Sequence, residues 1–455
     1  MNYLPHTPDD IAMALRVIGV DSVDELFADM PKALRKPDMD LPSGMDETSL
    51  LEHLRGLAAK NKGGGSSLLG GGVRNHFIPS VTPHLALQSE FVTAYTPYQA
   101  EVAQGILQAT FEYQTMMSEL TGLPVSNASM YDGASSVAEA ALLAVRQAKK
   151  HNKVLISSGV HPESREVAKT YLKPLGIEVV EIALDNMITP QPEVDDDVAG
   201  VIVQSPNFLG YIEPMADLAN AAHDAGALFI AVCDPLSLAV LKAPGDYGAD
   251  IAVGDGQTIG NPVAFGGPHF GYMVVSDDLL RQLPGRIVGE TTDEEGKRAF
   301  VLTLQAREQH IRRSKAKSNI CSNHQLAALM AAVNLSALGP QGLRDVATQS
   351  VHNAHSLAKQ LAGAGLEDAG FKVEAEPNFF NEFVLRSPVP AKALRRALAD
   401  AGVQAGVPVP SAYGLGNAVV LSATELTTQA DIDALIAALQ NVGQPAPKQV
   451  EVAYD

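Results

Sequence analysis

The sequence predicts an α/β fold with a mostly parallel central sheet, followed by a smaller α+β unit. Three observations carry this expectation. From Val125 onward, short apolar runs alternate with loops and helical patterns, an order that packs as a parallel sheet with right-handed crossovers. The stretch from Gly248 to Tyr272, GADIAVGDGQTIGNPVAFGGPHFGY, has the form of a buried strand, Asp250–Val253, running into a glycine-rich loop. At 455 residues, with 46% hydrophobic and 19% charged side chains, the chain has a globular composition and exceeds one hydrophobic core.

Residues 1–90 are expected to form an N-terminal helical arm and a glycine-rich loop. Thr7-Pro8-Asp9-Asp10 is a helix start, with Thr7 as N-cap, Pro8 in the first turn and acids facing the positive end of the dipole; Gly19 stops that helix. A short helix is expected near Val23–Asp29, and a longer one from Glu47 to Asn61 carries Leu50, Leu51, Leu54 and Leu57 on one stripe. Gly63–Gly72, GGGSSLLGGG, lacks a Walker lysine and reads as a flexible loop in preference to a phosphate cradle.

Residues 91–330 are expected to form the large α/β domain. The predicted strands are Val125–Met130, Lys153–Ser157, Glu178–Ala183, Ala199–Gln204 and Ala227–Val232, with a long alanine-rich helix after Ser136 and another over Met215–Ala225. Leu302–Leu338 has a helical pattern, and Gly339-Pro340 punctuates it. In the small domain, 331–455, a helix over Gly342–Ala364 precedes strands Phe371–Ala375, Phe380–Arg386 and Ala418–Ala423 and helices Pro390–Ala401 and Gln429–Gln440.

A net charge of -19 at pH 7 repels phosphates, so neither nucleic acid nor an anionic membrane is an expected partner. Cys233 and Cys321 are too few for a disulfide framework and lack metal-ligand spacing. The opening MNYLPHTPDDIAMAL has no unbroken apolar core, and the most apolar window, Ala225–Leu241, is too short to span a bilayer and is broken by Asp234-Pro235. A reducing, cytoplasmic location is the expectation.

Open α/β sheets place their chemistry at the carboxyl ends of the strands. In one large class of such enzymes a lysine there holds pyridoxal phosphate (PLP) as a Schiff base, because only an amine condenses with the aldehyde. Here no lysine occurs between Lys242 and Lys297, and the strand end offers Gly256, Gln257 and Thr258. Asp132-Gly133-Ala134-Ser135-Ser136 is a helix start suited to a phosphate, but Asp132 sets a carboxylate at that anion site, where it caps the helix and repels a dianion. His161 is placed to stack on a flat cofactor or to sit as an ordinary polar residue at a helix start; Asp234 can pair with a pyridinium nitrogen or initiate the turn before Pro235. Gly266-Gly267-Pro268 allows close backbone approach or makes a plain turn. The run from Arg312 to Lys317 reads as a solvated helix face. The turn Tyr95-Thr96-Pro97-Tyr98-Gln99 either orients a small substrate or simply caps and packs.

Taken together, YTPYQAEVAQG, ELTGLPVSNASMYDGAS, GADIAVGDGQTIGNPVAFGGPHFGY and RRSKAKSNICSNHQL closely resemble subunit 1 of the two-subunit bacterial glycine decarboxylase P-protein family, and the resemblance runs through nearly the whole chain. It implies the PLP-dependent transferase fold of the aspartate aminotransferase class (fold type I). It also implies a second subunit that carries PLP on the lysine of a His-Lys-Thr motif, at the place corresponding to about Gln257-Thr258 here. The implied reaction decarboxylates glycine, with the PLP ring as electron sink, and passes the aminomethyl group to the lipoyl arm of H-protein. On this resemblance the chain is a pseudo-symmetric half of a heterodimer or heterotetramer. Tyr95, Thr96, Tyr98 and Gln99 are the candidates to reach a shared active site, and Asp132, His161, Asp234, Gln257 and Thr258 mark a degenerate pocket. No metal is expected. The loop Gly70–Phe77 is looser than the aromatic-rich version associated with the family and is assigned no role.

Two other functions compete. A self-sufficient PLP enzyme needs an amine from outside the expected strand, with Lys242 or Lys297 nearest in sequence. A non-catalytic scaffold subunit that only stabilises its partner or docks H-protein needs no side chain of this chain in the chemistry.

Overall fold

The computed structural model describes residues 6–35, 40–61, 65–92, 96–148, 152–374, 376 and 378–442. Two compact units divide at Gly63 and Gly64. In the first, Thr7 caps the helix Pro8–Ile18 through a capping box with Asp10, and Gly19, at φ 87°, ends it. Asp46 caps the helix Glu47–Ala58, whose Leu50, Leu51, Leu54 and Leu57 are exposed. No described residue of this unit is buried.

The second unit opens with the short strand β1 (Ser66–Leu68). It then builds a seven-stranded sheet from β2 (Val125–Ser126), β3 (Lys153–Ser157), β4 (Glu178–Ile182), β5 (Val198–Gln204), β6 (Leu228–Val232), β7 (Ile251–Asp255) and β8 (Gly271–Val275), in the order β2-β8-β7-β6-β5-β3-β4. The neighbours from β4 to β7 pair in parallel, while β8 is antiparallel to both β7 and β2. The central strands β5, β6 and β7 are largely apolar and buried because both faces are covered, whereas the edge strand β4 carries Glu178 and Glu181 and has no buried residue. Val154, Ile156, Ile202, Ile230 and Val253 pack under the helices Gly133–Ala148 and Pro162–Leu172, while Leu155, Val201, Val203, Phe229 and Ala231 meet the helix Met215–Asp224 on the other face.

Where a helix over Leu302–Leu338 is expected, the chain differs. Its first two residues end an antiparallel hairpin, β9 (Ile287–Thr292) with β10 (Arg298–Thr303), short turns follow over 305–315, and the long helix starts only at Gln325. The run from Arg312 to Lys317 closes the four-residue helix Gln309–Arg312 and forms a 3-10 turn, so it is exposed but not a helix face. The helix Gln325–Gly363 breaks at Gly339, φ 64° and ψ 178°, directly before Pro340, which has no amide hydrogen to donate.

The remaining strands are β11 (Lys372–Glu374), β12 (Glu382–Arg386), β13 (Val403–Ala405), β14 (Val407–Pro408) and β15 (Ala418–Ser422). They form a four-stranded sheet, β11-β12-β15-β14, backed by the helices Ala391–Asp400 and Gln429–Gln440. β13 pairs instead with β1, in parallel. β1 and β13 thus form a separate two-stranded sheet, which the chain leaves at Leu68 before it reaches the large sheet.

Candidate functional site

The ends of β5, β6 and β7, the starts of the helices Gly133–Ala148 and Pro162–Leu172, Glu382 at the head of β12 and residues 71–74 line a cavity of about 580 Å³. It lies at the carboxyl edge of the parallel strands, where this topology leaves a crevice. Asp132, His161, Asp234, Gln257 and Thr258 all line it.

Arg74 enters this cavity from the glycine-rich segment. It is 7% exposed, and its Nη2 donates to Asp234 Oδ2 at 2.6 Å while its Nη1 donates to Glu382 Oε2 at 2.7 Å. Burial by itself pulls the guanidinium down, but the charges of Glu382 and Asp234 outweigh it and hold the group above its ordinary value. Asp234 Oδ1 accepts from Thr258 Oγ1 at 2.6 Å and from the Leu236 N–H at 3.1 Å. Asp234 thus starts the turn before Pro235 and pairs with an arginine of its own chain, where a pyridinium nitrogen was the expected alternative partner.

Gln257, just beyond β7, grips the backbone of Arg74: its Oε1 accepts the Arg74 N–H at 3.0 Å and its Nε2 donates to Arg74 C=O at 2.8 Å. His161 caps the helix Pro162–Leu172, with Nδ1 accepting from the Glu163 N–H at 3.3 Å, which leaves Nε2 as the proton-bearing nitrogen, 2.8 Å from Gly71 C=O. Its ring meets Phe208 edge-on, at 5.2 Å between centroids. Gly71 N–H donates to Glu382 Oε1 at 2.6 Å. The segment assigned no role from sequence is therefore held by residues of both sheets.

The start of the helix Gly133–Ala148 is already provided with anions. Asp132 Oδ1 accepts from Ser135 N–H at 2.7 Å, and Asp255 Oδ2 accepts from Gly133 N–H at 3.1 Å. Burial pushes Asp255 up, opposed first by His269, whose Nδ1 lies 3.7 Å from Oδ1. Cys233 also lines the cavity, and burial pushes its thiol up to about 12, so it is not a thiolate nucleophile at neutral pH.

Thr96, Tyr98 and Gln99 do not line this cavity. Tyr95 falls outside the described residues. Tyr98 is 52% exposed, with the Arg286 guanidinium 5.6 Å from its ring centroid and the His310 ring at 5.4 Å. Gln99 is exposed at the head of the 3-10 turn Ala100–Val102, and Thr96 Oγ1 is buried without a hydrogen-bond partner.

Arg74 and Glu382 are the residues that sequence alone missed, because Arg74 sits in a run whose composition reads as flexible. The spacing of Asp234 and Gln257 at successive strand ends was the available signal for the pocket that receives it.

A mostly parallel seven-stranded sheet, a smaller antiparallel layer and a crevice at the strand ends define the PLP-dependent transferases of fold type I. A NifS-like protein of that class superposes with a TM-score of 0.61 over 83% of this chain and 99% of its own, at 11% identity, a likeness of fold alone. The chain belongs to the glycine cleavage system P-protein family, which it matches over residues 1–439. It is 49% identical over 442 residues to the probable glycine dehydrogenase (decarboxylating) subunit 1 of Anoxybacillus flavithermus, covering 95% of this chain and 97% of that one. With the protein of the same name from Carboxydothermus hydrogenoformans it shares 48% over 454 residues, 96% and 99% of the two chains. A glycine decarboxylase (P-protein) solved in inhibitor-bound form superposes with a TM-score of 0.90 at 54% identity, over 97% of this chain and all (100%) of that one.

The residues in this chain's crevice do not fit PLP. Gln257 has no amine to condense with an aldehyde, and its amide is already bonded to Arg74. Asp234 already pairs with a cation, and two carboxylates stand at the helix start where a phosphate dianion would rest.

Proposed function

We propose that this chain is subunit 1 of a two-subunit glycine decarboxylase, acting with a second subunit that holds PLP. The pair decarboxylates glycine and delivers the aminomethyl group to the lipoyl arm of H-protein; the cofactor, on the partner, supplies the electron sink. The observation that carries this is Gln257, an amide committed to the backbone of Arg74 at the strand end where the class needs an amine. Membership of the family and the names of the subunit 1 relatives support the assignment. The complex is a heterodimer or heterotetramer in the cytoplasm.

In this proposal the turn carrying Tyr95, Thr96, Tyr98 and Gln99 reaches the partner's active site. Tyr98 supports it, being half exposed, away from this chain's own cavity, and braced by Arg286 and His310. A phenol held this way can donate a hydrogen bond to a carboxylate or phosphate without first losing much side-chain freedom.

The test is glycine-dependent CO2 exchange with lipoylated H-protein, using this chain alone, the second subunit alone and the two mixed, with PLP absorbance followed in each. Turnover only in the mixture, with the absorbance staying on the partner, is the expected result. Turnover and absorbance with this chain alone would refute it.

A further inference from the structure

We propose that residues 70–77 are an intramolecular plug: Arg74 takes, inside this chain's own pocket, the position and positive charge that a cofactor ring would otherwise supply, and ties the large sheet to the small one. The inference does not depend on the activity proposed above, since it concerns a cavity enclosed by this chain alone.

Three features argue for a built site over a loop that happens to lie across a crevice. The first is how many distant elements recognise the segment. Gly71 N–H bonds Glu382 on β12, Arg74 N–H bonds Gln257 beyond β7, and Phe77 N–H bonds Glu425 Oε1 at 2.6 Å, while His76 Nδ1 lies 2.7 Å from Glu425 Oε2. Each of these acceptors is a side chain, and no strand or helix of the chain includes residues 70–77.

The second is the shape of the passage. A Cβ on Gly70 would lie 2.0 Å from Glu382 Oε1, and Gly71 has a φ of +73° with Val407 pressed against it. Glycine is required there because the backbone itself must reach the carboxylate.

The third is charge. Asp234 and Glu382 have side chains that are 9% and 7% exposed and come from opposite sides of the cavity. Two carboxylates so buried demand a cation between them, and Arg74 is the cation that both touch. A planar guanidinium, with its donors in a fixed fork, can reach both carboxylates at once.

The plug explains why an enzyme-type pocket persists without its chemistry. Arg74 neutralises the two buried carboxylates of the pocket wall, and the bonds of residues 71–77 to groups of both sheets hold the two layers together across the crevice.

Amide hydrogen exchange on the full-length chain tests this. Gly71, Arg74 and Phe77 are expected to exchange about as slowly as the amides of β7, although they belong to no strand or helix; exchange at free-loop rates would overturn the proposal. In parallel, Arg74→Ala is expected to lower the melting temperature by several degrees and to regain part of that loss in millimolar methylguanidinium chloride but not in equal sodium chloride, with no such gain for the wild type. An Arg74→Ala chain as stable as the wild type would sink it, and so would stoichiometric retention of PLP by the wild-type chain in equilibrium dialysis. Should Arg74→Ala not fold, Arg74→Lys serves: one ammonium cannot span both carboxylates, so the three plug amides should exchange faster while those of β7 do not.

Discussion

Gln257 holds the backbone of Arg74 from both sides, accepting its N–H at 3.0 Å and donating to its C=O at 2.8 Å, and the same amide nitrogen reaches Asn261 C=O at 2.9 Å. Every polar atom of the amide is committed. Gln257→Ala should therefore destabilise the chain by about 2–4 kcal/mol, the combined effect of leaving buried donors and acceptors unpaired. Gln257→Glu, though nearly isosteric, should cost at least as much, because it loses the donor and sets a carboxylate against two carbonyl oxygens. Chemical denaturation measures both, and a change under about 0.5 kcal/mol for Gln257→Ala would show that the contact is not structural.

The triad of Arg74 with Asp234 and Glu382 carries one positive and two negative charges on side chains that are 9%, 9% and 7% exposed. Converting either acid to its amide removes the excess negative charge but keeps the shape, so Asp234→Asn and Glu382→Gln should each shift stability by about 1 kcal/mol or less. The double variant strands a buried guanidinium and should lose about 3–5 kcal/mol. A double-mutant cycle in denaturant reads the difference, and simple additivity would contradict the shared cation.

Asp132 caps the helix Gly133–Ala148, and Ser135 returns a hydrogen bond from Oγ to Asp132 C=O at 3.1 Å. Asp132→Ala should cost about 1 kcal/mol, and Asp132→Ser should restore most of it, since either oxygen can accept the Ser135 N–H. Thermal unfolding of the two variants separates capping from a merely electrostatic effect, which serine would not restore.

Glu425 supplies a pH dependence. Burial opposes its ionised form, but the His76 ring and the Phe77 N–H outweigh burial, so its carboxyl lies below the ordinary 4.5. A depressed acid contributes stability that is present above the unfolded value and lost as pH falls through the folded one. The stability gap between wild type and Glu425→Gln, about 1 kcal/mol, should hold from neutral pH down to about 5 and close below 4.5. A gap that instead widens in acid would reverse the assignment.

Much of this architecture was legible in the sequence, for a local reason. Lys153–Ser157 is a strand over the expected residues and Gln429–Gln440 a helix over the expected residues, because a short apolar run and a capping Thr428 are properties of neighbouring side chains. The hairpin of β9 and β10 was missed because the acidic turn between its strands hid two short runs that carry little alternation. The plug was hidden more deeply. Its glycines read as flexibility, while the groups that fix it lie 160, 183 and 308 residues away along the chain. Spacing found the pocket wall; only the fold brought Arg74 into it.

The turn at Tyr98 gives the sharpest test of the shared site. Its ring is braced by Arg286 and His310, and half of its surface faces outward, so Tyr98→Phe keeps the packing and removes only the hydroxyl. If that hydroxyl bonds to substrate or cofactor in the partner's site, kcat/KM of the reconstituted complex should fall about tenfold, equivalent to about 1.4 kcal/mol, with the melting temperature unchanged. A scaffold role predicts the opposite pattern: no kinetic change for Tyr98→Phe, and for Tyr98→Ala a loss of assembly or stability without any effect on the chemistry of the complex that still forms. Unchanged kinetics in both Tyr98→Phe and Tyr95→Phe would remove the turn from the active site and leave this chain a structural partner.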